Sequence, residues 1–152
     1  MILKTAIGPI SLGYKNEELF CDFGTHQVDK EPSNKLSKQL ADYFAGEEIQ
    51  NFHAPLQSGP PFTQKCWEVC RNIPYGETIS YAELAKRAGS PKAVRAAGQA
   101  MRNNPLSIIT PCHRVISSSG SLHGYAGSTN IRSKKLHRKK FLLNLEQRTM
   151  SV

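Results

Sequence analysis

Apolar and polar positions alternate with a short period over residues 1–25. The run Leu19-Phe20-Cys21-Asp22-Phe23 is β-prone and stops at Gly24, and Gly8-Pro9 and Lys15-Asn16 carry turn chemistry between apolar runs. This pattern predicts short strands. The period then lengthens. Leu36, Leu40 and Phe44 recur every fourth residue, which predicts a helix capped by Ser33 or Asn34, running to about Ala45 and stopped by Gly46. Residues 46–61 hold Pro55, Gly59, Pro60 and Pro61 and read as a linker. The expected units are residues 1–58 and residues 59–152.

A second helix is predicted from about Phe62-Thr63, with Phe62, Cys66, Trp67, Cys70 and Ile73 as its buried stripe and Pro74-Tyr75-Gly76 as its end. Ser80-Tyr81-Ala82-Glu83 has the spacing of a capping box ahead of a helix that ends at Gly89. Ser90-Pro91 offers a cap and a first-turn proline for the next helix, expected to run to about Asn103. Two helices joined by so short a turn read as a helix-turn-helix. Leu106 to Thr110 is β-prone, the Ser/Gly segment Ser117 to Ser121 suits a hairpin or wing, and a last helix is expected from about Lys134 to Gln147. The predicted fold class is α+β. A small N-terminal α/β lobe of short antiparallel strands and a helix joins a mainly helical C-terminal domain with a winged helix-turn-helix.

Charge sharpens this division. The chain carries +8 overall, with five Lys/Arg against eight Asp/Glu in residues 1–61 and fifteen against four in residues 62–152. Only the second part is suited to a polyanion. The bland alternative is a solvated basic run from Arg132 to Lys140, yet the second part stays positive without it. No apolar run approaches the ~20 residues of a membrane span. The opening Met1-Ile2-Leu3-Lys4-Thr5 is not followed by the apolar core of a secretory signal. The expectation is a cytosolic protein, nucleoid-associated in a prokaryote or nuclear in a eukaryote. There Cys21, Cys66, Cys70 and Cys112 are expected as free thiols.

The predicted second helix of the pair has few large side chains: Ala93, Ala96, Ala97, Gly98 and Ala100 leave Lys92, Arg95, Gln99, Met101 and Arg102 to stand out. Small residues serve helix packing, or close approach to a DNA groove. Arg95 is a surface charge, a phosphate contact, or a wedge for the base stack. In Pro111-Cys112-His113-Arg114-Val115 a thiol stands beside an imidazole and a guanidinium, and positive charge favours thiolate. Pro111 disfavours a helix there. Against this stands the ordinary buried cysteine.

These stretches resemble the O6-alkylguanine-DNA alkyltransferases, the methylated-DNA–protein-cysteine methyltransferases. The likeness lies in Ile73 to Tyr81 (IPYGETISY), Ala93 to Met101, Asn104-Pro105, Pro111 to Ile116, Gly124-Tyr125-Ala126-Gly127, and Leu142-Leu143 with Glu146. Gly8-Pro9-Ile10, Tyr43 to Gly46 and Pro60-Pro61-Phe62 extend it more loosely over nearly the whole chain. The resemblance implies transfer of an alkyl group from O6-alkylguanine in double-stranded DNA to Cys112, with O4-alkylthymine as a further candidate, no cofactor or metal, and a monomer away from membranes. His113 would act on Cys112 through a water, with Glu146 orienting the imidazole. Tyr81 would donate to guanine N3, Arg95 would fill the hole left by the flipped nucleotide, and Asn104 would hold the turn beneath the site. The carbonyls of Cys112 and Val115 would accept from the guanine amino group, with Tyr125 and the Ala126 backbone lining the pocket and Ser107 at its rim. The helix with Ala93, Ala96 and Gly98 would lie in the minor groove, flanked by Lys92 and Arg102.

The chemistry agrees with that implication. The lesion lies inside a duplex, so the base must be extruded at a cost of a few kcal/mol. Attack at an sp³ carbon needs a soft nucleophile, and thiolate is the best side chain for it. The thioether product has no evident second nucleophile to cleave it, so one turnover per molecule is expected. The alternatives are a non-catalytic lesion-binding protein of the same fold and a cysteine hydrolase, which needs an oxyanion hole that no motif announces. A zinc site from Cys21, His26, Cys66 and Cys70 is less favoured than buried thiols, because Cys66 and Cys70 lie on an apolar stripe. His53 and His123 read as loop histidines.

Overall fold

The computed structural model describes residues 1–118 and 134–150. Three antiparallel strands open the chain: β1 (Ile2–Thr5), β2 (Gly8–Lys15) and β3 (Glu18–Phe23), in the order β1-β2-β3. Alternation decides which side faces inward, and Ile10, Leu12, Leu19 and Cys21 are buried. Helix α1 (Asn34–Phe44) follows, with Ser33 Oγ accepting from Leu36 N at 3.1 Å. Its end is closed by Glu47 N→Asp42 O and Gly46 N→Tyr43 O, with Gly46 in the left-handed region at φ +96°.

The second part contains α2 (Pro61–Arg71), β4 (Ile79–Ser80), α3 (Tyr81–Arg87), α4 (Val94–Arg102), a 3₁₀ turn (Cys112–Arg114), β5 (Val115–Ile116) and α5 (Lys134–Met150). The α+β class and the pairing of α3 with α4 agree with expectation. Several details differ. Helix α2 begins with Pro61, where a missing N–H costs nothing. Ser80 caps α3 by accepting from Glu83 N, but the Glu83 carboxylate pairs with Arg87 and does not complete the capping box. Helix α4 starts only at Val94. Ser90 N already closes the end of α3 on Ala85 O, and Ser90 O accepts from Ala93 N, so residues 90–93 reverse the chain rather than start a helix.

Leu106 to Thr110 is turn, not strand, and only Leu106 bridges β3 at Cys21. The reason lies in Asn104, whose side chain holds Leu106 N, Leu106 O and Thr110 O, and in Ile108 at φ 72°, which no strand tolerates. The turn at Cys112–Arg114 is helical despite Pro111, because Pro111 precedes it and its carbonyl accepts from Arg114 N. The last helix runs past Gln147 to Met150. The wing expected at Ser117 to Ser121 falls largely outside the described residues.

Two cores result. One packs α2, α3 and α4 around Cys66, Trp67, Cys70, Leu84 and Met101. The other sets Ile10, Leu12, Leu36 and Leu40 of the N-terminal part against Leu106, Ile108 and Leu142 from far along the chain. Each buried Leu or Ile contributes about 1.5–3 kcal/mol, so the N-terminal part draws much of its stability from residues beyond 58. Backbone bonds reinforce this: Cys21 N donates to Pro105 O and Ser107 N to Cys21 O, both at 2.9 Å.

Candidate active site and nucleic-acid interface

The parallel pairing Ile79↔Val115 and Ser80↔Ile116 brings two motifs together. Tyr81 follows β4 and Cys112 precedes β5 by one 3₁₀ turn. Cys112 is 6% exposed and Val115 is fully buried. Tyr81 is half-buried, and its pKa is pushed up to about 12 by burial, with Cys112 and Cys70 adding and Arg102 opposing. It therefore remains a phenol that can donate.

Behind Cys112 lies a buried polar cluster. The Glu146 carboxylate, 1% exposed, accepts from four donors. Oε2 takes Tyr43 Oη at 2.6 Å and His113 Nε2 at 2.5 Å. Oε1 takes Arg114 Nε at 2.8 Å and Gly76 N at 3.0 Å. Burial alone would raise the Glu146 pKa, but His113 and Arg114 hold it well below the ordinary carboxylate range. Burial lowers the pKa of His113; Glu146 pulls it upward, and Arg114 and Lys139 reinforce the lowering. The imidazole is thus neutral near pH 7. With the carboxylate accepting at Nε2, the ring proton belongs there and Nδ1 keeps a lone pair. Nδ1 is buried and bonds to no described protein atom, so it is free to take a proton.

Lys139 completes the surroundings. It is fully buried, donates to Val115 O at 2.7 Å and stands 5.9 Å over the Tyr81 ring. Burial lowers its pKa to about 8, against the attraction of Cys112. The described part of the basic run, Lys134 to Lys140, is therefore not a uniform solvated tail: Lys139 points into the site and Arg138 stacks 4.4 Å over Phe23. Beneath the site, Asn104 Nδ2 donates to Thr110 O at 2.8 Å and Asn104 Oδ1 accepts from Leu106 N at 2.9 Å, which fixes the turn before Cys112.

The arrangement contains Cys112, His113, Glu146, Tyr81, Asn104 and Val115, as the sequence suggests, and Ser107 lies half-buried on the same turn. Tyr125 and Ala126 fall outside the described residues. Arg114 is not simply a cation beside the thiol: its guanidinium serves Glu146 and the Ile73 carbonyl. Tyr43, Lys139 and Arg71, whose guanidinium ties Thr110 to the linker carbonyls of Ala54 and Pro55, were missed. Their signal was weak, since each sits in a segment that reads as ordinary helix.

Helix α4 divides sharply. Ala97, Ala100 and Met101 are buried, and Trp67 Nε1 donates to Ala100 O at 2.9 Å. Lys92, Arg95, Ala96 and Arg102 are exposed, Ala93 and Gly98 are partly so, and a methyl group built on Gly98 would meet nothing within 4 Å. Ala93 caps the helix rather than standing inside it. The four cysteines are free; Cys21, Cys66 and Cys70 are fully buried, and burial raises the pKa of each thiol. His26 lies at the surface against Asp22 and Phe23 O, apart from Cys66 and Cys70 in the other core. No helix among the described residues is long and apolar enough to cross a membrane.

The site thus sets a buried thiol next to a neutral histidine bound to a buried carboxylate, and α4 presents small and basic residues on its exposed face. Residues 61–148 match the model of the 6-O-methylguanine DNA methyltransferase DNA-binding domain. The chain is 41% identical over 157 aligned residues to a methylated-DNA–protein-cysteine methyltransferase of Methanosarcina acetivorans, covering 95% of this chain and 96% of that one. It is 52% identical to the constitutive enzyme of that name from Bacillus subtilis over 74% of this chain, and spans 65% of that relative's length. The crystal structure of Mycobacterium tuberculosis OGT in complex with DNA superposes with a TM-score of 0.79 at 37% identity, covering 97% of this chain and 92% of that one. The chain belongs to the methylated-DNA–protein-cysteine methyltransferase family.

Proposed function

We propose that this protein repairs DNA by moving the alkyl group of O6-alkylguanine onto Cys112. Residues 59–152 bind the duplex and accept the group, and residues 1–58 support them. The protein acts as a monomer. The observation that carries the reading is the chain of contacts from Cys112's neighbour His113 to Glu146, with Nδ1 left as a proton acceptor.

The steps follow from these residues. Ala93, Ala96 and Gly98 let α4 enter the minor groove, while Lys92 and Arg102 meet phosphates and Arg95 fills the stack after the nucleotide leaves it. Asn104, Ser107 and Val115 shape the surface that receives the extruded base. Cys112 passes its proton to His113 Nδ1 by way of a water, and the sulfur attacks the alkyl carbon. The C–S bond forms as the C–O6 bond breaks, and the electron pair stays on the guanine. Tyr81 donates toward N3 as that charge develops. Glu146 holds the imidazole in the tautomer the transfer needs. A thioether is not cleaved by the protonated Cys70 thiol or the Tyr81 phenol near it, so the protein is consumed.

Titration of the protein against a labelled O6-methylguanine duplex tests this. Repaired guanine should plateau at one per protein molecule. Continued turnover would refute the consumption, and tight binding without any label on protein would favour a lesion-binding role.

A further inference from the structure

Tyr43 stands in α1, 70 residues before His113 and 103 before Glu146. It is fully buried, with its ring against Phe44, Phe52 and Tyr75. Packing alone would be served by phenylalanine. The hydroxyl does more: it donates to Glu146 Oε2 at 2.6 Å, the oxygen that also accepts from His113 Nε2, and its own oxygen lies 3.4 Å from that nitrogen. A second tie holds α1 in register with α5, since Thr149 Oγ1 donates to Gly46 O at 3.0 Å. The end of α1 is therefore fixed at two points to the helix that carries Glu146.

We propose that Tyr43 is a positioning residue for the alkyl transfer, its hydroxyl fixing the Glu146 carboxylate and, through it, the His113 imidazole, so that the N-terminal lobe helps prepare Cys112. This rests on the function proposed above. A donor on Oε2 draws negative charge from the carboxylate and weakens its hold on the imidazole proton. Without it the carboxylate is more basic, the imidazolium is favoured, and Nδ1 is less available to accept. The titratable and charged groups around His113 are Glu146 and Lys139 from α5, Tyr43 from α1, Tyr75 from the segment after α2, and Arg114 beside it in the 3₁₀ turn.

The test is the rate of methyl transfer from duplex DNA measured from about pH 5 to about pH 9. Tyr43→Phe keeps the ring and deletes the hydroxyl. Its plateau should fall roughly threefold to tenfold, and its acidic limb should move up by about half to one pH unit. Leu40→Ala, a cavity in the same helix, should lose stability with its limb unmoved. A fluorinated tyrosine at position 43, whose hydroxyl donates more strongly, should move the limb downward; this arm keeps the test open if the phenylalanine variant does not fold. A wild-type limb in Tyr43→Phe, or in the fluorinated protein should the phenylalanine variant not fold, would overturn the proposal. Equal shifts in Tyr43→Phe and Leu40→Ala would overturn it too, as general loosening. Absence of transfer by the wild-type protein would instead overturn the function on which it rests.

Discussion

The exposed face of α4 and the buried cluster behind Cys112 use charge in opposite ways. On α4, Arg95 and Arg102 stand in solvent with small residues between them. Each such charge is worth little alone and is screened by salt. Behind Cys112, Glu146, His113 and Lys139 are almost entirely out of water. There an uncompensated charge costs several kcal/mol, so every donor must be in place. The difference teaches how one chain can keep a charged surface free to adapt while holding a buried cluster to a fixed geometry.

Substitutions can break this contrast from either side. Cys112→Ser should reduce alkyl transfer to background while DNA affinity stays within about twofold, since the thiol is buried and lies off the exposed face of α4. Parallel transfer and band-shift assays measure both, and loss of binding together with transfer would argue against separable parts. Glu146→Gln should come next. It puts an amide donor among groups that already donate, and should cost about 3–5 kcal/mol in denaturant unfolding. A loss below about 1 kcal/mol would show that the carboxylate is not the centre of the cluster.

Acid should act on the same place. The His113 pKa is lowered on folding, so the unfolded chain binds more protons as pH falls below the ordinary value of 6.5, and stability declines there. Glu146 is also lowered, so a further loss follows as pH falls below 4.5. Melting temperature should therefore decrease in two stages on acidification, and His113→Asn should remove the first. On the surface, Arg95→Ala should slow repair of duplex by roughly tenfold and leave reaction with the free base unchanged, because the task proposed for it is nucleotide extrusion. Equal losses on both substrates would remove that task. The smallest effect belongs to Arg102→Ala. Affinity should drop modestly, and the slope of log affinity against log salt should become shallower by about 1. An unchanged slope would take Arg102 off the phosphate path.

The helix-turn-helix half was more legible in the sequence than the buried cluster. Alanines at helical spacing, Ser80 before an apolar run and a basic C-terminal part have local signatures, and the helix-turn-helix follows from them. The Pro-Cys-His-Arg-Val segment also announces itself. Tyr43 and Lys139 do not, since their roles arise only when α1 and α5 close over the 3₁₀ turn. Lys139 hides in a run of cations in which Lys134, Lys135 and Lys140 are exposed. The late start of α4 was hidden for another reason: Ser90 has the chemistry of a cap, but its amide is already committed to the end of α3. Leu106 to Thr110 reads as β-prone because the locking of a turn by the Asn104 side chain leaves no periodic trace.

The most direct measurement is the mass of the intact chain, then of its peptides, after incubation with duplex DNA containing O6-methylguanine. A gain of one methyl group, confined to the peptide carrying Cys112 and absent with unmodified duplex, is the predicted result. No gain, or a methyl group found on Cys21, Cys66, Cys70 or any other residue, would contradict the account.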